Sequence, residues 1–157
     1  MVLTPHSGGR HRDRVLLTLA PLKASGTADW TRDVGVFGEQ IGMRDIIVIL
    51  TDGFDEGCIA TAERLAASGR DICLVQILTG DERDFPFDQG YRFHDPETGA
   101  EVVGDGRSLR ADFIARFAAA RAALAARLEA RGIRHVEHFI DESADIPLRA
   151  LFRPTGR

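Results

Sequence analysis

The residues best able to do chemistry in this chain gather in one short stretch, Thr51-Asp52-Gly53-Phe54-Asp55-Glu56-Gly57-Cys58. Asp52 and Asp55 offer carboxylate oxygens that a hard cation or a basic partner group could meet. Cys58 opens a predicted helix, where the N-terminal dipole lowers a thiol pKa, but no base or resolving thiol stands near it in sequence. The stretch that must position these groups comes just before them. Ile46-Ile-Val-Ile-Leu50 is a run of apolar residues, four of them β-branched, and it reads as a central strand of a parallel sheet, buried on both faces. In open α/β sheets ligands bind beyond the carboxyl ends of such strands. Asp52 and Asp55 are therefore the first candidates for a site.

The rest of the chain supplies the scaffold. Arg10 to Ser25 reads as a helix with Val15, Leu16, Leu19 and Leu22 on one face, kinked or shortened by Pro21. Trp30 to Gly42 reads as a weaker helix interrupted by Gly35 and Gly38. Cys58 to Ser68 is a helix closed by Gly69, and Asp71 to Leu78 is a second buried strand, which completes a right-handed βαβ unit. Tyr91–His94 and Ala100–Val103 flank Asp95-Pro-Glu-Thr-Gly99 as a protruding hairpin insertion. Ser108 caps a long helix to Arg131, with Leu109, Phe113, Phe117, Ala120, Leu124 and Leu128 as its inward stripe. Ile133–Ile140 is a third strand and Ile146–Phe152 a last helix. This is an α/β pattern with a thin, mostly parallel sheet.

Composition narrows the function classes. With 157 residues, 44% hydrophobic and 28% charged, the chain has the size and balance of one soluble globular domain. A net charge of −4 provides no basic surplus for nucleic acid. Two cysteines, Cys58 and Cys73, build neither a disulfide framework nor a closed zinc site, and fit a reducing cytoplasm. No apolar run reaches the ~20 residues that span a bilayer. The catalytic reading is thin. Phe54 holds the position where a phosphoaspartyl phosphatase needs a second aspartate, and Lys23 is the sole lysine. No glycine-rich phosphate loop or nucleophile elbow is present. His135 and His138 are three apart on a strand and so face opposite sides. Phe85-Pro-Phe87 is expected to tuck under the hairpin.

Asp81-Glu-Arg-Asp-Phe-Pro-Phe-Asp88 followed by Tyr91-Arg-Phe-His-Asp-Pro-Glu-Thr-Gly99 resembles the bacterial family known as domain of unknown function 58, over about Pro5 to Phe152. The resemblance implies a von Willebrand A-like, Rossmann-like doubly wound sheet. It also implies that residues 1–157 form a single incomplete domain, truncated on its N-terminal side: the family's Asp-x-Ser-x-Ser strand and its upstream membrane helices have no counterpart here. By the same resemblance Thr27 and Asp52 are remnants of a metal-ion-dependent adhesion site for Mg2+, with Asp29 and Asp55 as neighbouring binding groups. One threonine and one or two carboxylates leave much of an octahedral shell to water. Asp52 as a cap of the following turn and helix is the plainer alternative. Asp141-Glu-Ser-Ala-Asp145 echoes the family's metal motif but lacks its last serine, and reads as a helix entry.

The implied function is a non-catalytic protein-interaction module of the cytoplasm, working with a MoxR-type AAA+ ATPase in chaperone-like assembly. Two alternatives stand beside it. One is a small Mg-dependent hydrolase or phosphotransferase using Asp52 and Asp55. The other is a remnant without function of its own, whose exposed sheet edge aggregates or pairs with a second copy.

Overall fold

A computed structural model of the chain describes residues 3, 6–23, 29, 30, 32, 34, 41–94 and 99–152. Three parallel strands form the sheet: β1 (Ile46–Thr51), β2 (Asp71–Leu78) and β5 (Arg134–Phe139), in the order β1-β2-β5. Helix α1 is Gly9–Leu19, α2 is Glu56–Ala67, α3 is Gly80–Asp84, α4 is Gly106–Glu129 and α5 is Asp145–Phe152. Strands β3 (Gly90–His94) and β4 (Glu101–Asp105) make a separate antiparallel hairpin.

The period-2 alternation of the strands divides the core between two faces. Ile47 and Ile49 of β1 join Ile72 and Leu74 of β2 under α2 and α4, together with Cys58, Ile59, Ala62 and Leu128. Both helices lie on this one face, as two right-handed crossovers made in the same direction along a sheet require. Arg127 of α4 ties them, donating to Glu63 at 2.8 Å and to Glu56 at 2.6 Å. Helix α5 covers part of the other face, where Leu151 packs on Cys73 and Val75.

Strand β1 departs from the expectation of burial on both faces. Among the described residues it is the sheet edge, and Ile46, Val48 and Leu50 are 50%, 42% and 62% exposed. The central strand is β2, whose Ile72 to Gln76 are all buried. An unbroken apolar run shows that a strand can be covered on both faces; its neighbours decide whether it is. Helix α1 departs in the same way. It forms, but none of its residues is buried, and Leu16, Leu17 and Leu19 are exposed. The Trp30–Gly42 helix lies largely outside the described residues, where Trp30, Arg32 and Val34 are helical.

Two smaller corrections concern helix starts. Asp105, not Ser108, occupies the N-cap of α4, and the Ser108 hydroxyl donates to the Asp105 carbonyl at 2.9 Å. Helix α3 was not expected, although Thr79-Gly-Asp-Glu82 carries the capping-box pattern. The Thr79 hydroxyl accepts from Glu82 N at 3.2 Å, and Thr79 N donates to the Glu82 carboxylate at 2.7 Å.

Candidate functional site

The tip of β1 is built by short-range hydrogen bonds and one long-range tie. Thr51 Oγ1 accepts from Gly53 N at 3.1 Å, and Asp52 Oδ1 accepts from Phe54 N at 3.0 Å. These turn the chain sharply out of the sheet. The turn works because Gly53 has φ +85°. A Cβ there would lie 2.7 Å from Leu124 Cδ2 and 2.8 Å from Gln76 Nε2. Gln76, 1% exposed, anchors the turn by donating to the Asp52 carbonyl at 2.9 Å. This glutamine carries part of the site and the sequence reading missed it. An amide alone in an otherwise apolar strand was the available signal.

The structure separates the roles of the two aspartates. Asp52 stands exposed beyond the end of β1, and its Oδ2 has no partner among the described residues. Asp55 is committed to local structure. Its Oδ1 accepts from Gly57 N at 2.7 Å and Cys58 N at 3.2 Å as the N-cap of α2, and its Oδ2 accepts from Trp30 Nε1 at 2.6 Å. Asp55, rather than Asp52, therefore caps the helix, while Asp55 itself stays exposed. Asp29 also serves locally, with Oδ1 accepting from Arg32 N at 3.0 Å. Thr27 lies outside the described residues. Cys58 is fully buried, and burial pushes its thiol pKa up, opposite to what a nucleophile needs.

The donors among the described residues fit a Mg2+ site poorly. Among the described residues no group of three or more His, Cys, Asp or Glu is arranged to hold a metal ion. Asp52 offers a single free oxygen here, so water would fill most of an octahedral magnesium shell. The other acidic segment is likewise engaged: Asp141 accepts from Arg83 at 3.3 Å, and Asp145 from Ser143 and Arg149.

Beside the tip lies a feature of different chemistry. Phe54, 59% exposed, borders an apolar groove of about 680 Å³ between the hairpin and α4, lined also by Phe93, Val102, Leu109, Phe113 and Phe117. Glu82, Asp112 and Arg116 stand on its walls. Phe85 of the Phe-Pro-Phe segment also lines the groove, and the segment packs against the hairpin as expected. Phe85 is buried, with ring centroids 4.6 Å from Phe113 and 6.1 Å from Phe93, and Phe87 lies 5.2 Å from Phe93.

These elements define an α/β protein with a three-stranded parallel sheet, a hairpin appendage and an acidic-aromatic tip beside an apolar groove. The family model described as "Protein of unknown function DUF58" matches residues 1–123, and the chain belongs to that family. No curated protein matches it. Among solved structures the chain is similar to the conserved hypothetical protein BatB from Bacteroides thetaiotaomicron, at 14% identity and a TM-score of 0.39. That likeness covers 88% of this chain and 64% of the BatB chain, so this chain spans less than two thirds of its length. The architecture given above rests on the chain's own strands and helices. No helix among the described residues is long and apolar enough to cross a membrane.

Proposed function

We propose that the chain is a non-catalytic protein-interaction module with a von Willebrand A-like sheet, and that its partner is a MoxR-type AAA+ ATPase, the partner class its family resemblance suggests. The observation that carries the docking reading is exposed Phe54 on the border of the apolar groove, two residues along the chain from the open carboxylate of Asp52. Aromatic residues are enriched at interfaces, and a few buried anchors carry most of the binding energy. The alternative as a Mg-dependent hydrolase or phosphotransferase has less support, because Asp55 has both oxygens engaged.

Calorimetry with a purified MoxR-type ATPase tests the reading. The wild type is expected to bind, and Phe54→Ala to weaken binding by about tenfold or more, as loss of a central aromatic does. Absence of heat with the wild type removes the partner assignment. A phosphatase panel separates the alternative: Mg-dependent turnover abolished by Asp52→Asn would replace the interaction reading with a catalytic one.

A further inference from the structure

Helix α1 is uncovered. It has 11 residues, none of them buried, and Leu16 and Leu19 are 58% and 51% exposed. A helix this short is marginal alone in water and needs a surface that covers one of its faces. That face has a defined pattern. Arg12, Val15, Leu16 and Leu19 follow the i, i+3, i+4, i+7 spacing, which sets them in one stripe with a cation at its amino end. From Gly9 to Lys23 the segment carries four cations against one carboxylate, Asp13, whose exposed pair with Arg12 is of little strength. The apolar groove has the converse chemistry. Its lining is mostly aromatic and aliphatic, with Glu82 on one wall, while Asp112 and Arg116 pair with each other at 3.0 Å. The two segments that reach it through Phe54 and Glu82, residues 52–56 and 81–88, carry seven carboxylates against one arginine.

We propose that α1 of a second copy of this chain docks in the groove, with Val15, Leu16 and Leu19 against its rings and Arg12 toward its acidic segments. Amphipathic helices enter apolar grooves through anchors at this spacing. Charge complementarity between a basic helix and an acidic border selects α1 as the occupant. Helix and groove are both open in the folded chain, so the helix that fills the groove comes from the other copy. Each copy supplies one helix and one groove, and reciprocal exchange closes the pair about a twofold axis. The tether permits it. Trp30 is held by Asp55, next to Phe54, and the ten residues between Leu19 and Trp30 span up to ~35 Å, enough to cross to a facing copy. The inference rests on the groove being a docking surface, as proposed above, and adds that a second copy occupies it before another partner does.

Sedimentation velocity on the full chain, with no ATPase present, tests it. The wild type is expected at twice the 17.2 kDa monomer mass. Leu16→Asp spoils the helix and Val102→Lys spoils the groove. Both positions are more than half exposed, so each variant is expected to be monomeric with unchanged circular dichroism. Arg12→Glu is expected to raise the dimer dissociation constant by at least about tenfold. The decisive arm mixes the two monomeric variants, because the Leu16→Asp chain keeps an intact groove and the Val102→Lys chain an intact helix. Adding unlabelled Val102→Lys to nitrogen-15-labelled Leu16→Asp is expected to shift the Phe93 and Val102 amide resonances, whereas adding unlabelled Leu16→Asp is not. A monomeric wild type overturns the proposal, as does a dimer indifferent to Leu16→Asp, Val102→Lys or Arg12→Glu, or a mixture that leaves the groove resonances in place. A monomeric wild type that still binds the ATPase removes this inference alone. A helix exchange that holds while the ATPase gives no heat removes the partner assignment alone.

Discussion

At the scale of single residues, the two aspartates of one loop diverge because only one reaches a helix start. Asp55 satisfies two orphan N–H groups of α2 and the indole of Trp30. Asp55→Ala is expected to cost about 1–2 kcal/mol, the usual loss for an N-cap with an added charge-assisted bond. Urea melts followed by fluorescence check this, since Trp30 is the single tryptophan and loses its partner in the same variant. A second prediction concerns pH. Burial pushes the His135 pKa below its ordinary 6.5, so the unfolded chain takes up that proton first and stability falls as pH drops below about 6.5. Glu137, bonded to Arg121 through Oε1 at 2.8 Å, is held below its ordinary 4.5. Its contribution is whole above about 4.5 and is lost as pH falls further. Thermal melts should therefore decline in two stages with acidification. His135→Gln should remove the first stage and leave the second.

At the scale of elements, the hairpin is bound to the body by aromatic rings. Phe85 sits at φ +43°, a conformation a bulky residue adopts only when its surroundings compensate. The compensation is ring packing on Phe87, Phe93 and Phe113, with Arg110 donating to the Phe85 carbonyl at 3.3 Å. Phe85→Ala is expected to destabilise the fold by about 3–4 kcal/mol, the range for a buried phenylalanine. It should also free the hairpin, which a shift of the Phe93 amide resonance would report. Gly106 lies under the same junction, where a Cβ would come within 2.5 Å of the Phe87 carbonyl oxygen. The Phe-Pro-Phe tuck and the hairpin were legible in sequence, because turn residues and alternation act locally. The left-handed conformation of Phe85 was not, because the contacts that compensate it come from α4 and the hairpin.

At the scale of the whole molecule, order is concentrated in β2 and the helices packed on it. Leu74, Cys73, Cys58, Ala62 and Leu128 have no exposed surface, whereas α1 has no buried residue. Hydrogen exchange should divide accordingly, with α1 amides exchanging at least about a hundredfold faster than those of β2. The strands β1, β2 and β5 and the long helix α4 were readable within a residue or two, since apolar runs mark the strands and good helix formers closed by a glycine mark the helix. The candidate site was readable in part. Asp52 was found as the open carboxylate, but Gln76 and the groove were not, because they come from segments far apart in the chain.

Local pattern sufficed to place apolar runs in strands, to put a carboxylate at the tip of β1 and to turn the chain at glycines, because these preferences are set by backbone sterics and side-chain period. Which strand became central, which aspartate was consumed as a cap, and which apolar rows remained uncovered were decided in three dimensions. Burial and hydrogen-bond commitment depend on what a residue's neighbours leave unfilled, and those neighbours meet only when the sheet assembles.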